Sequence, residues 1–85
     1  FTAPVISERD GIVASIDNRR LANVAKLAGA PHDATAGVYL DARLGSRVER
    51  GQPLYTVCAE SRGELEYAFD FVRSTSAIVT VGEDA

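Results

Sequence analysis

The chain has 85 residues, 46% of them hydrophobic and 25% charged, which is typical of one ordered globular domain and argues against a disordered segment or a typical complete enzyme. Nine basic residues against twelve acidic ones give a net charge of −3, without the basic excess that nucleic-acid binding requires. No apolar run is long enough to span a bilayer. We therefore expect no nucleic-acid partner and no membrane partner.

The first part of the chain predicts two extended segments. Residues 2–6 are typical of an extended strand, and the start at Phe1 rather than at a methionine is what we expect of a piece of a longer chain. The pair Asp10-Gly11 predicts a turn. The β-branched run over residues 12–16 predicts a strand.

A first helix is predicted over residues 18–28. Asp17 stands at its N-cap position, Gly29 is a suitable C-terminal cap, and Pro31 prevents the helix from continuing. One face is apolar at helical spacing, with Leu21, Val24, Ala25 and Ala28. The opposite side is polar, with Arg19, Arg20, Asn23 and Lys26.

The middle of the chain predicts two strands with a glycine-punctuated turn between them. A loop over residues 30–36 leads to a strand over 37–43, and Pro53 begins a strand that continues to residue 59. Gly45 and Gly51 mark the turn. The predicted buried anchors are Leu44, Val48 and Leu54, and the predicted solvated charged turn consists of Arg47, Glu49 and Arg50.

A second helix and a last strand complete the prediction. Ser61 and Glu64 have the spacing of a capping box, in which the serine hydroxyl accepts from the amide three residues on and the glutamate reaches back. The apolar face of this helix consists of Leu65, Ala68, Phe69 and Val72, and its water-facing side of Glu66, Asp70 and Arg73. With a strand over 77–81, the order is that of a single α+β domain.

The lone cysteine and histidine do not predict a catalytic or metal site. Cys58 lies in a predicted strand and cannot form an internal disulfide, which fits a reducing cytoplasm. It would need His32 close by to act as a nucleophile, and the favoured interpretation is a packed thiol. One cysteine and one histidine also make a poor metal shell, so we expect no metal and no cofactor.

Other chemical constellations are equally unspecific. The seven glycines are scattered and form no phosphate-binding motif. His32-Asp33 is interpreted as a polar loop tip. Arg19-Arg20 could bind a phosphate, and the favoured interpretation is a solvated face at the start of a helix. Tyr39, Tyr55 and Tyr67 lie on separate elements, and Glu64 and Glu66 point in different directions on one helix. The sequence therefore predicts no catalytic residue.

Two half-motifs do have a recognisable pattern. Residues 10–13 read Asp-Gly-Ile-Val, and residues 44–54 contain Gly-x-Pro-Leu leading into a strand. Barrel-sandwich domains such as biotinyl and lipoyl carriers use this pattern with a lysine on an exposed hairpin. The one lysine of this chain, Lys26, lies within a predicted helix. A stand-alone binding or carrier module of this type remains the alternative interpretation.

The half-motifs together with the intervening helix resemble the C-terminal domain of the pyrimidine-nucleoside (thymidine) phosphorylase family. The resemblance covers roughly residues 4–73 and rests on residues 10–13, Ile16-Asp17, residues 27–30, residues 37–40 and residues 44–54. Residues 28–31 and 59–61 are similar to the archaeal-type branch, which includes AMP phosphorylases and bacterial proteins of the putative thymidine phosphorylase type. Ala28 and Pro31 depart from the pattern of other bacterial thymidine phosphorylases, so thymidine, uridine and AMP stay open as substrates.

The resemblance implies an α/β-hammerhead fold with a barrel-sandwich-like mixed sheet and two helices, over residues 1–85 as the C-terminal domain of a longer, cytoplasmic chain. The parent enzyme would be a homo-oligomeric glycosyltransferase in which phosphate attacks the anomeric carbon of a nucleoside or nucleotide. Its active site would lie between upstream helical and α/β domains. The segment itself would be inactive and would stabilise the α/β domain on which it packs.

Overall fold

The computed structural model describes residues 1–30 and 35–83, which form six strands and two helices. The elements in chain order are β1 (Thr2–Ile6), β2 (Gly11–Ile16), α1 (Asn18–Ala28), β3 (Gly37–Leu40), β4 (Arg47–Val48), β5 (Pro53–Cys58), α2 (Arg62–Ser74) and β6 (Val79–Gly82). The predicted α+β class is confirmed. Helix α1 begins and ends at the predicted residues.

The strands form two three-stranded sheets. Sheet A has the order β1-β5-β3 and sheet B the order β4-β2-β6, and neighbouring strands in both are antiparallel. The expectation of a mixed sheet is therefore wrong for the strand pairs described. A mixed sheet requires a parallel pair, whereas each pair here runs antiparallel, including those that a helix separates in sequence.

The core lies between sheet A and the helices and extends into sheet B. Helix α1 contacts β3, β5 and α2, and α2 also contacts β5. The fully buried side chains from these layers include Val24 of α1, Val57 of β5 and Ala68 of α2. Val13 and Val48 of sheet B belong to the same cluster, so the two sheets share one continuous core.

Side-chain caps define both helix N-termini. The Asp17 carboxylate accepts a 3.0 Å hydrogen bond from the Arg20 amide, and Gly29 ends α1 with a φ of 123°. The Ser61 hydroxyl accepts from the Glu64 amide at 3.1 Å, as predicted. The Glu64 carboxylate, however, accepts from the Ser61 hydroxyl at 3.0 Å instead of reaching the Ser61 amide, so the described contacts form one half of a capping box.

Four predictions in the second half of the chain are wrong. Arg47, predicted in a solvated turn, begins the short strand β4 and pairs with Ile12. Leu44, predicted as a buried anchor, is 65% exposed, although the main chain of the next two residues is hydrogen-bonded to Val13 of β2. Strand β3 ends at Leu40 instead of residue 43, and β6 covers Val79–Gly82 instead of 77–81. Val48 and Leu54 are buried as predicted.

A close approach of backbones joins β2 to β6. A Cβ atom added at Gly11 would lie 2.0 Å from the carbonyl oxygen of Gly82 and 2.9 Å from Val81 Cγ1. The register places Ile12 opposite Gly82 and shifts by a bulge between Val13 and Ser15. The glycine of the Asp-Gly pair is therefore required by the packing of β2 against β6, in addition to its predicted role in a turn.

We predict that Gly11→Ala lowers the free energy of unfolding by about 1–3 kcal/mol or prevents folding, since the methyl group has no space beside a main-chain oxygen. Denaturant unfolding measures this change. Gly63→Ala is the matched control, because no atom lies within 4 Å of its added Cβ and the site is helical. Equal stability of the two variants would contradict the close approach.

We predict that Asp17→Ala lowers the free energy of unfolding by about 1 kcal/mol, because the Arg20 amide loses its acceptor. Asp17→Asn retains an acceptor oxygen and should keep most of this stability. Thermal or denaturant unfolding of the two variants provides the measurement. A loss of the same size in both would assign the effect to the Arg20 ion pair, at 3.4 Å, instead of the cap.

Candidate functional site

A groove lies between the two sheets of the described residues. On one side lies the end of β1 with the turn that follows, residues 5–9, and on the other lie residues 77–81, which include most of β6. Leu54 and Tyr55 of β5 and Val72 of α2 also contribute to its walls. Apart from the polar turn that follows β1, Thr75 and Thr80, the lining is largely apolar, as expected of a binding surface.

The two sides of the groove are strand edges. Side chains of a strand alternate between faces, so a groove that lies on one face meets every second residue. Here consecutive residues of both strands line the groove, namely Val5 and Ile6 of β1 and Val79, Thr80 and Val81 of β6. Since β1 and β6 are both edge strands, each presents unpaired main-chain groups along its outer edge.

Tyr55 lies at the wall of this groove with 2% of its surface exposed. Among residues 1–30 and 35–83 its hydroxyl has no hydrogen-bond partner, and no buried side-chain oxygen or nitrogen there is left unsatisfied. Burial of the ring raises the pKa of Tyr55 above its usual value of 10.0, because desolvation penalises the phenolate.

The structure places Cys58 as a packed thiol on the central strand of sheet A. Its Cα is paired with Thr2 of β1 and with Gly37 of β3, and 8% of its surface is exposed. His32 and Asp33, the partners weighed for a nucleophile, lie outside the described residues. The predicted interpretation of Cys58 as a packed residue is confirmed.

The two arginines at the start of α1 differ in their surroundings. Arg19 is exposed, whereas the Arg20 guanidinium donates to the Ser76 hydroxyl at 2.5 Å and lies 3.4 Å from the Asp17 carboxylate. Arg20 therefore joins the start of α1 to the segment before β6. Lys26 lies exposed within α1, as predicted, and not on a hairpin.

The remaining predicted candidates stay apart. Tyr39 and Tyr67 are 67% and 63% exposed on β3 and α2, whereas Tyr55 is buried on β5, so the tyrosines form no stacking platform. Glu64 belongs to the α2 cap and Glu66 faces water. Hydroxyls of Ser7, Ser46 and Ser74 donate to nearby main-chain carbonyls, in local turns and caps.

Within the described ranges, no three His, Cys, Asp or Glu side chains come together as a metal site. No helix in the same ranges has the length and apolar character needed to cross a membrane. Two described hydrogen bonds join a hydroxyl to a carboxylate: Ser61 donates to Glu64 at 3.0 Å in the helix cap, and Thr56 donates to Asp41 at 2.7 Å, also at the surface. The feature that sequence reasoning missed is Tyr55 in the groove, since its position depends on burial and not on a local motif.

Comparison with known proteins assigns the class to which this fold belongs. Residues 12–79 match the model of the pyrimidine nucleoside phosphorylase C-terminal domain, and the chain belongs to that family. The resemblance inferred from the sequence is therefore confirmed.

Relatives named "Putative thymidine phosphorylase" align along nearly the whole chain. The protein of Legionella pneumophila (strain Corby) is 49% identical over all 85 residues, and that of Maricaulis maris (strain MCS10) is 51% identical over 98% of the chain. The protein of Polaromonas sp. (strain JS666) is 56% identical over 91% of the chain. The chain spans about 16% of the first relative's length, 17% of the second's and 15% of the third's.

We predict that the protein loses stability as the pH rises above about 10 and that Tyr55→Phe reduces this loss. The folded state raises the pKa of Tyr55, so its contribution is complete below pH 10 and disappears as the pH approaches the raised folded-state value. Denaturant unfolding at about pH 9 and about pH 11 measures the difference. Tyr39→Phe is the control with an exposed ring, and an equal effect of the two variants would show that Tyr55 ionises freely.

Proposed function

We propose that this chain is the non-catalytic C-terminal domain of a longer, cytoplasmic phosphorylase of the thymidine phosphorylase type. The observation that carries the proposal is the family match over residues 12–79, together with relatives about six times as long that bear that name. The parent enzyme transfers the pentosyl group of a nucleoside or nucleotide to inorganic phosphate. The products are the free base and a sugar 1-phosphate.

The chemistry takes place upstream of this domain. The described residues provide a packed cysteine, serines that bond within caps and turns, and a groove between strand edges. These are features of a structural domain. Phosphorolysis requires groups that hold phosphate and stabilise charge at the anomeric carbon. We assign these groups to the helical and α/β domains that precede this segment.

The role of the domain is to pack on the upstream α/β domain and to stabilise the frame against which the active-site cleft opens and closes. A rigid support fits the continuous core shared by its two sheets. The parent is proposed to be a homo-oligomer. Its substrate is a pyrimidine nucleoside or AMP, and the sequence at residues 28–31 favours the branch that includes AMP phosphorylases.

We predict phosphate-dependent release of base by the full-length protein and none by residues 1–85 alone, because we assign the groups for phosphorolysis to the upstream domains. The assay offers thymidine, uridine and AMP to both proteins in parallel and measures free base with and without phosphate. The preferred substrate identifies the branch. Turnover by residues 1–85 would contradict a non-catalytic role, and an inactive full-length protein would contradict the phosphorylase assignment.

A further inference from the structure

The edge of β6 is unprotected. Natural edge strands are usually blocked by proline, by lysine or by a covering element, because their free amides and carbonyls can pair with another strand. Residues 78–81 read Ile-Val-Thr-Val, which is a β-branched run with high strand propensity and without charge. In the described part of the chain, β2 pairs with one edge of β6, and the other edge faces the groove.

The outer edge of β1, whose end lies at the groove, is protected. Pro4 lies in the middle of β1 and has no amide hydrogen. The hydrogen bonds between Phe1 and Ala59 place the paired positions of β1 at Phe1, Ala3 and Val5, so Pro4 faces the outer edge. The two edges therefore differ, and β6 is the one that can accept a strand along its length.

The Tyr55 hydroxyl provides a second and independent feature of the groove. Tyr55 lines the groove with a ring that is almost wholly buried, and none of the hydrogen bonds described within residues 1–30 and 35–83 involves its hydroxyl. A phenol in this position can donate a hydrogen bond to a main-chain carbonyl of an occupant. The apolar side chains beside it, Val5, Val72 and Val81, suit the alternating apolar residues of an extended segment.

We propose that the groove receives an extended segment from the upstream part of the longer chain, which adds to the edge of β6 and accepts a hydrogen bond from Tyr55. The inserted strand would lie between β6 and the end of β1 and would connect the two sheets. This inference rests on the proposed function, because it names the surface through which the domain packs on the upstream domains.

The upstream chain is the occupant for two reasons. The aligned region is about 16% of the relatives' length, so most of such a chain lies outside the region described here. The family's domain is C-terminal, so in chains of this family the remaining domains precede it. A covalent tether of this kind gives a high effective concentration that favours an internal segment over a separate molecule.

Hydrogen exchange of the main-chain amides tests the proposal. The experiment compares the peptide that contains β6 in residues 1–85 with the same peptide in the full-length protein. We expect exchange of its outer-edge amides to be slower in the full-length protein by on the order of tenfold or more. The peptide that contains Val13, in the centre of sheet B, is the internal control for folding and should be protected in both proteins.

Two variants of the full-length protein identify the edge and the hydroxyl. Thr80→Lys places a charged side chain at an exposed position of β6 and should restore fast exchange there, whereas Asn23→Lys, on the exposed side of α1, should not. Tyr55→Phe removes the proposed donor and should reduce the protection in part. Its hydroxyl has no described partner in the domain, so the variant should still fold.

Three results would overturn the proposal. Equal exchange of β6 in the two proteins would show that no segment covers the edge. Protection in residues 1–85 that increases with protein concentration would assign the edge to a second copy. Protection unchanged by Thr80→Lys would place the contact elsewhere. The assay of base release is separate, so a full-length protein that is inactive but protected at β6 would refute the phosphorylase assignment alone.

Discussion

Burial of the central strand β5 is the interaction on which the rest of the domain depends. This strand pairs with β1 on one edge and β3 on the other, and both helices contact it. Leu54, Tyr55 and Val57 are almost fully buried along its length. Burying such a side chain contributes about 1.5–3 kcal/mol, so one six-residue strand supplies a substantial part of the stability of this small core.

Sheet B packs on that core through its own contacts, and a groove remains where the two sheets meet. Val13 and Val48 join the common cluster, and the Asp17 amide donates to the Ile78 carbonyl at 2.9 Å. No strand hydrogen bonds connect the described edges of β1 and β6, which instead bound the groove. The same arrangement that divides the strands into two short sheets therefore creates the accessible surface of the domain.

The helices could be predicted from the sequence because their signals are local. Asp17 and Gly29 fix the ends of α1 within a dozen residues, and the apolar spacing lies between them. Strand β4 could not be predicted in this way, since Val48 pairs with Gly11 and two residues carry no strand pattern of their own. Leu44 was misassigned for a related reason, because an apolar residue in a turn has no periodicity that indicates which way it points.

The groove was harder to predict from the sequence than strand β4 or the exposure of Leu44. Its walls come from segments near residues 5, 55, 72 and 79, and no single one of these segments contains a pattern that predicts a groove. The family resemblance, in contrast, could be found from the sequence because it depends on short motifs such as Asp10-Gly11. Motifs therefore identified the class of the domain, whereas its binding surface depends on how distant edges meet.

The obstacle at Gly11 has an implication for second-site suppressors. Most steric clashes in a core can be relieved by shortening the opposing side chain, but here the nearest atom is the main-chain oxygen of residue 82, which every amino acid possesses. A genetic screen for compensating mutations at position 82 would therefore find none that works by making room. Recovery would require a shift in the strand register or in the backbone path, and both involve many residues at once.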